Sequence, residues 1–180
     1  VTFGNPTADP EDPAPQEPPS SSEPPAPSSS EASSDPNPPV PPEITSDFNL
    51  NMQKGTVSKI AAGTSVEAFR KGFQNCTVLV TKDGAEVPAS SPVGTGMQVH
   101  LMVGEEEQSV LTAVVTGDVN GDGLISITDV VRINASIVNK FTLTEAEKQA
   151  ADVSGDGEIT VTDVVRLNAS IIGKYEITPA

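Results

Sequence analysis

The sequence predicts a multi-part chain. A disordered Pro/Ser-rich linker covers residues 1–43. A small α+β module, one helix on a small sheet, covers 44–116. An all-α unit of two loop–helix repeats covers 117–180. Three observations predict this. Fourteen of the seventeen prolines precede Glu43, so the first segment differs in kind from the rest. The middle segment carries apolar residues at both strand and helix periods. In the last segment, residues 118–140 (DVNGDGLISITDVVRINASIVNK) and 152–174 (DVSGDGEITVTDVVRLNASIIGK) are identical at 16 of 23 positions at a fixed offset of 34. Chance does not produce that, and the tract is an internal duplication.

Residues 5–43 are Pro, Ser, Ala, Glu and Asp with almost nothing apolar. Such a stretch cannot bury enough surface to offset its ordering entropy. It reads as a partly polyproline-like spacer rather than as a ligand for a groove-binding module. Val1, Thr2 and Phe3 read as the last strand residues of an upstream module. The chain shows no basic leader and no long apolar stretch, so no signal peptide or transmembrane helix is in view. The expectation is a mature portion of a longer protein.

Charge narrows the partners. With 25 acidic against 10 basic residues the net charge is −15, which argues against nucleic acid as a partner, because phosphate contacts need Lys and Arg clusters. An acidic balance fits cation binding and an extracellular setting. Aromatics are 3% and Trp is absent, so the core must be aliphatic and small. Cys76 is the only cysteine. It forms no internal disulfide and, within the apolar run 76–80, reads as a small buried hydrophobe.

The middle module is read element by element. Residues 48–52 alternate like a strand. Thr64-Ser65-Val66-Glu67 is a capping box opening a short helix to about Phe73, with Val66, Phe69 and Phe73 on one face. Residues 76–81 form a strand, and Asp83-Gly84 signals a turn. Met97, Val99, Leu101 and Val103 alternate with Gln98, His100 and Met102 as a half-buried strand. Residues 104–107 turn the chain and 110–115 run back. His100 lies on the polar side of its strand with no carboxylate or Ser at a catalytic spacing, and is expected to be a solvated surface histidine. No nucleophile, base and oxyanion set is found, so the chain is not read as an enzyme.

The repeats carry the chemistry. A 12-residue calcium loop presents oxygen at positions 1, 3, 5, 7, 9 and 12, with Gly at 6 for the sharp turn. In the first repeat these are Asp118, Asn120, Asp122, Leu124, Ser126 and Asp129, with Gly123 at 6. In the second they are Asp152, Ser154, Asp156, Glu158, Thr160 and Asp163, with Gly157 at 6. Position 7 contributes its main-chain carbonyl, so Leu124 and Glu158 both serve. Ser126 and Thr160 act directly or through a water. Three carboxylates per loop suit a hard dication, and the expectation is two Ca2+. Magnesium suits the loops less, because it demands near-ideal octahedral geometry. Position 12 is Asp rather than the longer Glu, and the β-branched lead-in over 111–117 implies a strand ahead of the first loop. A sensor hand needs a helix on both sides.

These paired D-x-[NS]-x-D-G-x5-D loops, each followed by a helix, resemble the type I dockerins of bacterial multi-enzyme polysaccharide-degrading complexes. The resemblance implies two loop–helix units in antiparallel pseudo-twofold arrangement with a short helix between. Thr144-Glu145-Ala146-Glu147 is a capping box suited to open that middle helix. It also implies a cohesin partner on a scaffold or cell-surface protein, no catalysis by the module, and a secreted, extracellular or cell-surface location. Residues 44–116 look like the accessory module that often precedes dockerins in secreted bacterial enzymes, through Gly63-Thr64-Ser65-Val66 and Val93-Gly94-Thr95-Gly96-Met97. On this reading a missing upstream part, such as a glycoside hydrolase or a carbohydrate-binding module, is attached through the linker.

The helical periodicity adds a docking face. Val130, Ile133 and Ile137 form one stripe, expected as core. Thr128, Val131, Arg132 and Ala135 fall elsewhere, and Thr162, Val165, Arg166 and Ala169 repeat them. A partly apolar face rimmed by Thr and Arg suits a partner surface, although such faces could instead pack the two helices together. The family's recognition positions map onto Ile127, Thr128, Asn134 and Ala135, and onto Val161, Thr162, Asn168 and Ala169. The duplication implies that a partner can bind either way round, as dockerins do. The free chain is expected to be a monomer without membrane insertion. Asn75-Cys76-Thr77, Asn134-Ala135-Ser136 and Asn168-Ala169-Ser170 match the glycosylation sequon by coincidence. The competing readings are an extracellular calcium-binding module without a cohesin, and carbohydrate binding by residues 44–116. The missing Trp and single Tyr175 weigh against the latter.

Overall fold

The computed structural model describes residues 43–178, and the linker expectation falls outside them except at Glu43. The described residues belong to one compact unit, Val40–Ala180. In chain order they form β1 (Thr45–Ser46), β2 (Asn49–Asn51), β3 (Thr56–Ile60), α1 (Val66–Lys71), β4 (Phe73–Gln74), β5 (Thr77–Lys82), β6 (Ala85–Glu86), β7 (Gln98–Val103), β8 (Glu106–Val115), α2 (Ile127–Ile137), α3 (Glu145–Ala151) and α4 (Val161–Ile171).

This overturns the expected fold class. The region before the repeats is mostly β, not one helix on a small sheet. Its main sheet has six strands in the order β2-β3-β8-β7-β5-β6, and β1 and β4 form a separate two-stranded sheet. The sheet is mixed, because β3 runs parallel to β8 while its other pairings are antiparallel. Local pattern missed β3 for a physical reason. Thr56 and Val57 are both buried, and Lys59 takes a positive φ of 65° where the register with β8 slips. A strand covered on both faces and broken by an irregularity shows no period of two. The helix is also shorter than expected: Ser65, not Thr64, caps it, and Phe73 has already passed into β4.

The strands that alternate behave as patterned. Val99 and Leu101 of β7 and Val78 and Val80 of β5 are buried in cross-strand register. Asp83 and Gly84, at φ of 51° and 80°, make the two-residue turn between β5 and β6. Phe48, Phe69 and Phe73 pack with ring centroids 4.6–5.4 Å apart. Full burial of one such ring contributes about 1.5–3 kcal/mol. Gly72 is required there, because an added Cβ would run into the Phe48 ring. Cys76, expected inside the core, is only half-buried at its edge, with its thiol pKa raised by desolvation.

β8 leads straight into the helical part. Gly117, at φ of 92°, turns the chain and donates its N–H to the Ala150 carbonyl at 2.8 Å. Val114 packs with Ala146 and Ala150 of α3. A second core gathers Val119, Val130, Ile133, Leu143, Val164 and Leu167.

Candidate docking and metal-binding site

Each repeat turns a tight loop into a capped helix. Gly121 and Gly123 sit at φ of 74° and 81°, and Gly155 and Gly157 at 74° and 87°, a region that costs L side chains dearly. The chain then becomes extended at Ser126 and Thr160, whose hydroxyls accept the N–H of Thr128 and Thr162. Asp129 and Asp163 reach back to the N–H of Ser126 and Thr160 at 2.9 and 2.8 Å. These are capping boxes, so position 12 of each loop is also the third residue of its helix. α3 starts the same way, with Thr144 and Glu147 in reciprocal bonds.

The predicted ligands differ in burial. Asp118, Asp129 and Asp163 are buried. Asn120, Ser126, Asp152, Ser154 and Thr160 are half-buried, while Asp122, Leu124, Asp156 and Glu158 are exposed. Among the described residues no three His, Cys, Asp or Glu side chains converge as a ready-made metal site. The loop carboxylates turn onto main-chain N–H groups instead. Asp118 Oδ1 accepts from Gly121 and Asp122, and Asp152 Oδ1 accepts from Gly155 and Asp156. Burial raises the Asp118 pKa, opposed by N–H donors from Thr95, Gly123 and Gly121 and reinforced by the charge of Asp129. Asp156, exposed, is held low by the Glu158 N–H and the Ser154 hydroxyl. No Lys or Arg forms an ion pair with Asp118 or Asp129 among the described residues. Two buried, mutually repelling carboxylates in a set of amide, hydroxyl and carbonyl oxygens fit a hard dication.

The two long helices meet through their cores, and Ile127, Val131, Val161 and Val165 stay outside at 60–63% exposure. Thr128 and Thr162 are exposed, and Ala135 and Ala169 half-buried. Asn134 is exposed and donates to the Val130 carbonyl, whereas Asn168 is half-buried. The arginines are tied down internally. Arg132 donates to the Val119 carbonyl and to Glu147 at 2.6 Å, with its guanidinium over Phe141. Arg166 donates to the Ser154 carbonyl and lies over Tyr175. Each arginine thereby joins its helix to its own loop.

Sequence reasoning missed two sets of contacts. His100, expected in solvent, is half-buried between Glu107 Oε2 at 2.6 Å and Thr81 Oγ1 at 3.0 Å. Cross-strand pairing brings these groups together on one face, which spacing along the chain does not reveal. Residues before the repeats also touch the first loop. Thr95 N–H donates to Asp118 Oδ2 at 2.9 Å, Gly63 N–H to the Gly123 carbonyl at 2.7 Å, and Lys82 Nζ to the Gly121 carbonyl at 2.8 Å. Gly94 is the signal in the sequence for this close approach, since an added Cβ there would meet the first loop.

No curated protein and no solved structure matches this chain. The family model described as Dockerin type I domain matches residues 116–172, which span both loops and all three helices of the repeat region. That segment of the chain is a type I dockerin domain, a non-catalytic, calcium-dependent docking module of the cohesin-binding kind.

Proposed function

We propose that residues 117–180 plug a secreted polysaccharide-degrading enzyme or carbohydrate-binding protein into a cohesin on a scaffold or cell-surface protein. In this reading the chain has three parts: a linker over 1–43, an accessory module over 44–116 and the docking module. Each loop takes one calcium ion, through Asp118, Asn120, Asp122, the Leu124 carbonyl, Ser126 and Asp129, and through Asp152, Ser154, Asp156, the Glu158 carbonyl, Thr160 and Asp163. Each loop carries three carboxylates, and a bound calcium ion would supply the opposite charge that drawing them together requires. Asp129 and Asp163 then act twice, as ligands and as caps, so the loop's conformation sets where Ile127, Thr128, Val161 and Thr162 stand. Val131, Arg132, Asn134 and Ala135, with Val165, Arg166, Asn168 and Ala169, complete the contact faces.

The observation that carries this reading is the twin exposed apolar pair, Ile127 with Val131 and Val161 with Val165, left outside both cores. Four large aliphatic side chains at that exposure on matched helices fit a partner surface. Calorimetry of the full chain against a panel of type I cohesins tests it. Tight binding to at least one cohesin in calcium, lost in excess chelator, is the expected result. Binding that persists unchanged without calcium, or no binding across the panel, counts against it.

A further inference from the structure

We infer that residues 43–115 clamp the first calcium loop but not the second, so that the two calcium sites are inequivalent. This rests on the calcium reading above. The two loops are near-copies in sequence, and the loop N–H groups that bond to their first carboxylate match. Asp118 Oδ2 and Asp152 Oδ2 each accept the N–H of the loop's second glycine, Gly123 at 3.0 Å and Gly157 at 2.9 Å. Only Asp118 Oδ2 has a further donor from outside the repeat, Thr95 N–H. Asp118 is fully buried, and its counterpart Asp152 is half-buried.

The glycines make the same point through space. A Cβ added at Gly121 would stand 2.5 Å from the Thr95 carbonyl, and one at Gly123 would stand 2.7 Å from Pro92 Cβ. At the equivalent Gly155 and Gly157 it would meet nothing within 4 Å. From the other side, a Cβ on Gly94 would lie 2.5 Å from the Gly121 carbonyl oxygen. Gly94 has an ordinary φ, so its own backbone does not demand glycine. The approach of the first loop does. The clamp bonds end on the carbonyls of loop positions 4 and 6, which are not ligands, and on the Asp118 oxygen shared with Gly123. They hold the loop's shape and leave position 7 free.

A preorganised loop loses less conformational entropy when it takes up an ion. By linkage, whatever the clamp adds to calcium affinity, calcium adds equally to the clamp. Calorimetric titration of the full chain with calcium chloride tests this. In an Asp152→Ala background, where only the first loop is complete, Gly94→Ala is expected to weaken calcium about tenfold or more. In an Asp118→Ala background the same change is expected to shift affinity less than about twofold. Equal effects in the two backgrounds, or no effect in either, overturn the clamp. If Gly94→Ala disturbs the sheet, amide exchange on the unaltered chain decides. Protection of the Thr95 and Gly63 amides should fall on chelation while Val99 and Leu101 keep theirs. Unchanged protection of Thr95 and Gly63 overturns the clamp. A chain that takes up no calcium fails at the underlying calcium reading, which the unaltered titration reveals separately.

Discussion

Asp129 and Asp122 belong to the same loop and differ in what they hold. Asp129 is buried and accepts the N–H groups of Val119, Asn120 and Ser126 at 2.8–2.9 Å. Asp122 is exposed and accepts from the Leu124 N–H and the Asn120 amide. As proposed ligands both would lose one oxygen donor on truncation. Only Asp129→Ala also strands the fully buried Val119 N–H and dissolves the capping box. An unsatisfied buried donor costs about 1–3 kcal/mol, so Asp129→Ala should destabilise by that much more than Asp122→Ala. Urea unfolding at saturating calcium measures the difference, and equal midpoints would sink this division of roles. Spacing along the chain named both aspartates as ligands alike. Burial separates them, and burial comes from the packing of Val119 and Val130 into the second core.

At the scale of elements, α2 and α4 are near-equivalent. Ala135 and Ala169 each accept two N–H bonds closing the helix C-terminus, from Lys140 and Phe141 and from Lys174 and Tyr175, at identical distances of 2.8 and 3.2 Å. The proposed docking can therefore run through either helix. Val131→Glu alone should then weaken a cohesin by only about twofold, roughly 0.4 kcal/mol, because the complex turns over to the other helix. Adding Val165→Glu should cost far more than the two single changes combined. A Val131→Glu chain that no longer binds, beside a Val165→Glu chain that binds normally, would show that one helix alone is read. Helix periodicity was sufficient to separate the Val130 and Ile133 stripe from Val131. The sheet was less legible, because β3 lacks alternation and finds its parallel partner β8 some fifty residues on in the chain.

For the whole molecule, the two cores differ in what they depend on. The sheet core gathers Phe69, Val80, Val93, Leu101 and Val115 without any loop carboxylate. The helical core is small and rests on two loops crowded with carboxylates. Chelation should remove the helical signal and the cooperative unfolding of residues 117–178 while the sheet amides stay protected. Circular dichroism with amide exchange separates the two. A helical signal untouched by excess chelator would contradict this.

The sequence by itself determined what recurs locally: the duplication, the oxygen spacing of each loop, the caps at Thr144 and the glycine turns, all set within a dozen neighbouring residues. It also carried the dockerin motif, whose family model matches residues 116–172. Only the tertiary structure decided that the preceding region is a six-stranded mixed sheet, and that His100 sits between Glu107 and Thr81. It also decided that two loops of nearly one sequence live in different surroundings. The parallel pairing, the contact of His100 with Thr81 and the bond from Thr95 to Asp118 join residues 19 to 56 positions apart. No local period encodes such separations, because each depends on where the chain's other elements have already been placed.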